Sequence, residues 1–309
     1  MMSATLVLPS DHAARMDRLR LSLDGLSIGD AFGQRFFGPV AMGDQLVSRQ
    51  LPPGPWKYTD DTEMALALAS VLETEGTVDS ARLAAAFAAR FAVDPYRCYG
   101  AGMHTMLDEI NRGRPWREAA ASLFGGEGSL GNGSAMRVAP LGAYFADDFA
   151  MVAAQARISA EVTHLHPEGA AGAIAVAIAA AWAWQWNCGG RREPRAALLA
   201  NAYEHTPDGG VRQGIARAQQ VELDEWEFTV AEILGNGEQI TCADTVPFCL
   251  WIATRHLDSF TDAMWNAVRV GGDIDTNAAI VGGIVSLAVG RPGVPEEWRR
   301  LRESLVWRV

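Results

Sequence analysis

The chain has 309 residues, 49% of them hydrophobic and 20% charged, with a net charge of −11. That make-up suits a globular protein with a sizeable buried core, and the acidic balance argues against a nucleic-acid-binding surface. Four cysteines, Cys98, Cys188, Cys242 and Cys249, show no Cys-x-x-Cys spacing and read as reduced thiols rather than a disulfide frame or a zinc site.

No basic start followed by a long apolar run marks the N-terminus, so a cytoplasmic location is expected. Residues 1–12 read as a loose segment and 13–309 as a single domain. From Ala13 onward, Met16, Leu19, Leu21, Leu23 and Leu26 recur near helical spacing. Gly25, Gly29 and Gly33 then line one helical face, which suits close packing of a second helix. Asp30, beside them, reads as a structural acceptor rather than a ligand. Residues 34–57 carry Pro39, Pro52, Pro53 and Pro55 and read as an irregular loop, a length that usually serves function. The loop delivers the chain to Tyr58-Thr59-Asp60-Asp61-Thr62 and a helix ending at Leu72 or Glu73. A further helix covers Asp79 to Phe91. Pro and Gly then mark a loop from Val93 to Gly102, before a helix beginning near Met103. In that loop Asp94 and Tyr99 are candidate substrate contacts, with an Asp-Pro turn as the plainer account of Asp94.

Residues 125–137 read Gly-Gly-Glu-Gly-Ser-Leu-Gly-Asn-Gly-Ser-Ala-Met-Arg. A run with so few side chains leaves backbone N–H groups free to cradle a phosphate or diphosphate at a helix start. It matches neither the dinucleotide fingerprint nor the Gly-Lys-Thr phosphate loop, and Asn132 and Ser134 add side-chain donors. Thr163-His164-Leu165-His166 offers a His-x-His pair, for which substrate contact or helix capping fits better than zinc, since no matching ligand pair follows. Ala170 to Trp186 is Ala-rich and interrupted by Gly and Gln, the pattern of a buried helix rather than a membrane span. A turn falls at Pro207-Asp208-Gly209, a break at Gly235-Asn236-Gly237, and helices start near Asp244, at 259–269 and after Val294-Pro295. No strand alternation appears, so the expected fold is an all-α orthogonal multi-helix bundle.

Two acidic clusters stand out: Thr59-Asp60-Asp61-Thr62, and Gly271-Gly272-Asp273-Ile274-Asp275-Thr276 followed by a small apolar run. Helix capping explains one oxygen in each, but not several crowded together. Four carboxylates held close repel unless cations neutralise them. Hard oxygen donors suit Mg2+, Mn2+ or Ca2+, and two divalent ions balance four carboxylates.

Taken together, Gly25 to Gly33, Thr59 to Thr62, Tyr99-Gly100-Ala101-Gly102, Gly131 to Arg137, Thr163-His164 and Gly271 to Thr276 resemble the ADP-ribosylglycohydrolase family, in family order and over nearly the whole chain. The resemblance implies an all-α fold and a metal-dependent hydrolase that removes ADP-ribose from a modified acceptor, arginine foremost, at the ribose anomeric carbon. It implies two Mg2+ or Mn2+ held by Thr59, Asp60, Asp61, Asp273, Asp275 and Thr276. By the same resemblance Gly131, Asn132, Gly133 and Ser134 belong to an ADP-ribose-binding loop, Tyr99 and Gly102 lie near the ribose, and His164 lines the site. The implied partners are an ADP-ribosylated protein or ADP-ribose conjugate and an ADP-ribosyltransferase; no nucleic acid or membrane is among them. Many relatives place a catalytic glutamate four positions after the last glycine of the first block, where this chain has Phe37. Asp94 and Asp61 are then the candidates for catalytic acid or base. The alternatives are a weakly catalytic or non-catalytic ADP-ribose binder, a toxin-immunity protein, or a metal-dependent nucleotide phosphatase.

Overall fold

A computed structural model describes residues 8–37 and 42–308, without the side chains of 42–44. Of the expected loose segment, residues 1–7 lie outside the described residues, and helix α1 (His12–Gly33) already begins at His12. The expected irregular loop contains a short helix, α2 (Met42–Ser48). The first acidic cluster opens α3 (Asp60–Glu75), which ends at Gly76 in the left-handed conformation. Next come α4 (Ser80–Val93), started by the Asp79 side chain accepting from the Arg82 N–H, α5 (Ala101–Asn111) and α6 (Trp116–Ala121). The glycine-rich loop leads into α7 (Ala139–Tyr144), the helix it is expected to open, and then α8 (Phe149–Glu161), which has no counterpart among the expected elements.

Helix α9 (Pro167–Cys188) is long and apolar enough to cross a membrane by length and composition alone, yet 89% of its apolar window is buried inside the protein. Against it pack α10 (Ala197–His205), α11 (Gly210–Ala218) and α13 (Cys242–Arg255), with α12 (Glu227–Leu234) resting on α11 and α13. Then α14 (Phe260–Arg269) hands the chain to the second acidic cluster and to α15 (Ile274–Val289), with α16 (Glu296–Leu301) near the end. Among the described residues there is no strand, only isolated bridges pairing Trp56 with Arg302 and Gly131 with Thr241. The all-α expectation holds.

The most extensive helix pair is α1 with α15. The stripe of Gly25, Gly29 and Gly33 makes it possible: a Cβ on Gly29 would stand 2.1 Å from the Ala278 carbonyl oxygen, and one on Gly25 2.3 Å from that of Gly282. Backbone therefore meets backbone, and no larger residue fits without parting the helices. An aromatic cluster of Phe32, Phe36, Trp56, Trp265 and Trp298 closes the end of α1. The C-terminal tail fixes the approach to α3. Glu303 accepts from the Tyr58 N–H at 3.0 Å, and Arg90 on α4 donates to the Val306 and Trp307 carbonyls.

Candidate active site

Asp30 stands where three helices meet. Fully buried on α1, it accepts from the Thr59 backbone N–H at 3.0 Å, the Thr59 hydroxyl at 2.9 Å, the Thr62 N–H at 3.1 Å and the Thr62 hydroxyl. It thus does for α3 what an N-cap residue ordinarily does from within its own helix. The Thr59 side chain makes no cap of its own. Asp30 therefore ties α1 to α3 while the glycine stripe ties α1 to α15, and the two acidic helix starts meet.

One oxygen from each of Asp30, Asp61 and Asp275 lies within 4.8 Å of the others. At an effective dielectric of 20 two such charges repel by about 3.5 kcal/mol. The N-terminal dipoles of α3 and α15 return only about 1 kcal/mol each. Protons or cations must supply the difference. Burial pushes Asp30 up to about 6, against the hydrogen bonds from Thr62 and Thr59, while burial and neighbouring carboxylates push Asp60 up to about 8 and raise Asp61 and Asp275 well above the ordinary carboxylate range. Asp273 is raised by burial, against the Asn132 amide donating to it at 2.6 Å.

The donor set fits a divalent cation. Asp61 is 2% exposed, and its Oδ1 has no hydrogen-bond partner. A buried, unpaired carboxylate oxygen is costly unless something positive completes it. The single Thr59 hydroxyl proton is drawn by Asp30 at 2.9 Å and by Asp61 at 3.1 Å, which leaves its lone pairs to face a cation. Thr276 is buried beside them, with its N–H on Asp275 at 2.9 Å.

These groups form one end of a cavity of about 490 Å³, lined by Asp60, Asp61, Asp273, Asp275 and Thr276. Its other walls include Gly131, Asn132, Gly133, Gly102 and His164, with apolar cover from Met103, Phe124, Leu130, Met136 and Ile240. The size is that of a site for a nucleotide-sized ligand. A second cavity of about 580 Å³ behind the loop of Gln239 and Thr241 lacks the aspartate cluster.

Other expected site residues fall elsewhere. Asp94 is not part of the cavity lining; it pairs with Arg97 at 2.9 Å and accepts from the Tyr96 N–H at 3.2 Å, the turn that its sequence also suggests. Tyr99 is buried against Phe91 rather than lining the cavity. The Ser134 hydroxyl is spent on the Gly169 carbonyl at 2.7 Å, holding the glycine-rich loop to α9. Of the His-x-His pair, His164 lines the cavity and His166 caps α9 by accepting from the Glu168 N–H. Phe37 is 48% exposed and also off the cavity; its neighbour Phe36 takes the core position. Glu63, one turn beyond the aspartates, is committed to a buried ion pair with Arg90 at 2.6 Å.

Sequence reasoning treats Gly235-Asn236-Gly237 only as a break, yet this loop closes the site. The Asn236 carbonyl accepts from the Asp273 N–H and the Asn277 amide, and its own amide donates to the Val270 carbonyl. A Cβ on Gly272 would stand 2.1 Å from that Asn236 oxygen, at a φ of +73°, so glycine is required there twice over. Further along, the Ile240 carbonyl accepts from the Asn132 N–H. The loop staples the glycine-rich segment to the acidic one. The signal in the sequence is the pair of glycines flanking an asparagine, both of which take a positive φ in the structure.

The chain resembles known proteins over nearly its whole length. Human ADP-ribosylhydrolase ARH3 is 28% identical, over 94% of this chain and 91% of its own. The ADP-ribosyl-[dinitrogen reductase] glycohydrolase of Rhodospirillum rubrum is 26% identical, over 94% of this chain and 90% of its own. A solved structure titled ADP-ribosylglycohydrolase-related protein complex superposes with a TM-score of 0.66 at 25% identity, covering 94% of this chain and 93% of that one. The ADP-ribosylglycohydrolase family model matches residues 11–308, and the chain belongs to that family.

Proposed function

We propose that the protein hydrolyses the glycosidic bond joining ADP-ribose to an acceptor side chain, arginine foremost, with two divalent cations, Mg2+ or Mn2+. The observation that carries this is the junction of the α3 and α15 starts, which sets four aspartates at one end of a cavity lined further along by a glycine-rich loop and His164. Thr59, Asp60, Asp61, Asp273, Asp275 and Thr276 would hold the cations, which supply Lewis acidity and a template for ribose hydroxyls and water. The glycine-rich loop and His164 would take the diphosphate, and Phe124, Leu130 and Ile240 a flat apolar ring. Cleavage at an anomeric carbon passes through an oxocarbenium-like state.

The described cavity lining contains no carboxylate other than Asp60, Asp61, Asp273 and Asp275. We therefore assign the proton from the attacking water to Asp61, whose Oδ1 is unpaired, rather than to Asp94. We also propose a cytoplasmic location, opposite an ADP-ribosyltransferase that modifies the same target. The test is release of ADP-ribose from ADP-ribosyl-arginine in Mg2+ or Mn2+, and its loss in a chelator. No release with either ion overturns the reading.

Phe37 favours a second reading, since no glutamate stands among the described cavity-lining residues. In it the protein binds ADP-ribose, as a receptor or toxin-immunity protein, and turns it over weakly or not at all. General-base assistance contributes roughly 10²–10⁴-fold, so its loss leaves a slow enzyme. Tight ADP-ribose binding without turnover selects this second reading, and phosphate release would point to a phosphatase instead.

A further inference from the structure

We propose that Arg137 and Thr163 are positioning residues that hold His164 as its Nε2–H tautomer, so that the imidazole presents a neutral hydrogen-bond donor to the anionic part of the ligand. The inference rests on the ADP-ribose reading only for the identity of that anion.

Thr163 is fully buried, and its hydroxyl oxygen has two described partners: Arg137 Nη2 at 3.0 Å and His164 Nδ1 at 2.7 Å. A guanidinium donates and never accepts, so the Thr163 oxygen must accept from Arg137. Its single proton then has one described acceptor, His164 Nδ1. Nδ1 must be bare, and the ring proton sits on Nε2. The opposite tautomer would aim two donors at one hydroxyl and strand its proton in the interior, disfavouring that form about tenfold or more. Protonating both nitrogens is opposed by burial and by the Arg137 charge, which hold His164 down to about 3.

Nε2 faces the glycine-rich loop. A Cβ on Gly133 would stand 3.2 Å from it and one on Gly131 3.5 Å, so only glycines leave this edge of the ring open. Arg137 acts on the same loop directly. It is fully buried, has no carboxylate partner among the described ion pairs, and lies 4.5 Å from the Phe87 ring centroid. Its Nη1 binds the Gly133 carbonyl at 3.0 Å, and its Nη2 also binds the Ser159 carbonyl at 2.9 Å. The Gly133 oxygen is thereby drawn into the core, away from a place where it would repel an anion. One buried cation thus turns a carbonyl away and, through Thr163, turns an N–H outward.

The test is nitrogen-resolved NMR of the imidazole rings in the full chain, with His164 assigned by loss of its signals in His164→Asn. The wild type is expected to show neutral His164 as Nε2–H from about pH 5 to about pH 8. Thr163→Val keeps the shape and removes the hydroxyl. It should release the tautomer and weaken ADP-ribose binding about tenfold, without changing Mg2+-induced thermal stabilisation. Thr163→Ser should restore both. An Nδ1–H or doubly protonated ring in the wild type overturns the proposal, as does a Thr163→Val protein that keeps Nε2–H. The wild-type spectrum decides the matter even where Thr163→Val does not fold. A wild type that shows Nε2–H but binds no ADP-ribose supports the tautomer assignment and sinks the ADP-ribose reading instead.

Discussion

Asp61 carries two opposed consequences. Its Oδ1 is buried without a partner, and the carboxylate is crowded by Asp30, Asp275, Asp60 and Asp273. Asp61→Asn removes a carboxyl that the cation-free cluster must otherwise keep protonated or hold against its neighbours, and should stabilise the cation-free protein by roughly 3 kcal/mol, the repulsion of one pair near 4.8 Å. The same change should abolish most of the stabilisation that Mg2+ gives, and lower ADP-ribose release at least about 10²-fold. Thermal denaturation in chelator and in Mg2+ separates the two effects. An Asp61→Asn protein that is less stable in chelator than the wild type would show that the cluster is not a centre of repulsion. Asp30 has a different part, because four donor groups saturate it. Its neighbours Gly29 and Gly33 made a structural role legible from sequence. Its partners, 29 and 32 positions away, were not, since no periodicity encodes which distant helix start a buried carboxylate will cap.

The meeting of α1 and α15 is set by small residues. Gly29→Ala places a methyl carbon 2.1 Å from the Ala278 carbonyl oxygen, an atom of helix backbone that cannot rotate away. The helices must part, at about 3 kcal/mol for overpacking of this kind. Because Asp30 rides on α1 and Asp275 on α15, the same shift should weaken Mg2+ affinity even though no acidic group is altered. Urea denaturation gives the first number and Mg2+ titration the second; unchanged affinity with lowered stability would mean the site does not depend on this helix contact. The glycine spacing announced a smooth face, and the acidic block announced a helix start, so both halves of the contact were readable singly. Which helix fills which face is a property of the packed core. The closing loop around Asn236 was unreadable for a related reason. Its work is done by a backbone carbonyl and an amide reaching Asp273, Asn277 and Val270, and any asparagine in a Gly-Asn-Gly turn looks alike in sequence.

At the scale of the whole molecule, the aspartate cluster should make stability depend on pH and on divalent cations together. Burial raises Asp30 to about 6, burial and neighbouring carboxylates raise Asp60 to about 8 and Asp61 and Asp275 well above the ordinary range, whereas the unfolded chain titrates near the ordinary value of 3.8. A carboxyl raised on folding binds its proton in the native state across that window and loses it in the unfolded state. The native state therefore holds the extra protons, and this contribution to stability is full below about pH 4 and is lost as pH rises through about 6 to 8. A divalent cation bound at the cluster would take the place of those protons and compete with them. In saturating Mg2+ the melting temperature should rise by roughly 5 °C at about pH 8, the shift expected for a ligand held well above its Kd, and by much less at about pH 5. The net charge of −11 adds a general preference for cations, but that part is exposed and should fade in about 0.2 M monovalent salt, where the Debye length is short. The buried cluster is screened far less, so the pH-dependent difference should survive the salt. A Mg2+ effect equal at both pH values, or one erased by salt, would place the cation on the surface and leave the junction of α3 and α15 without its counter-charge.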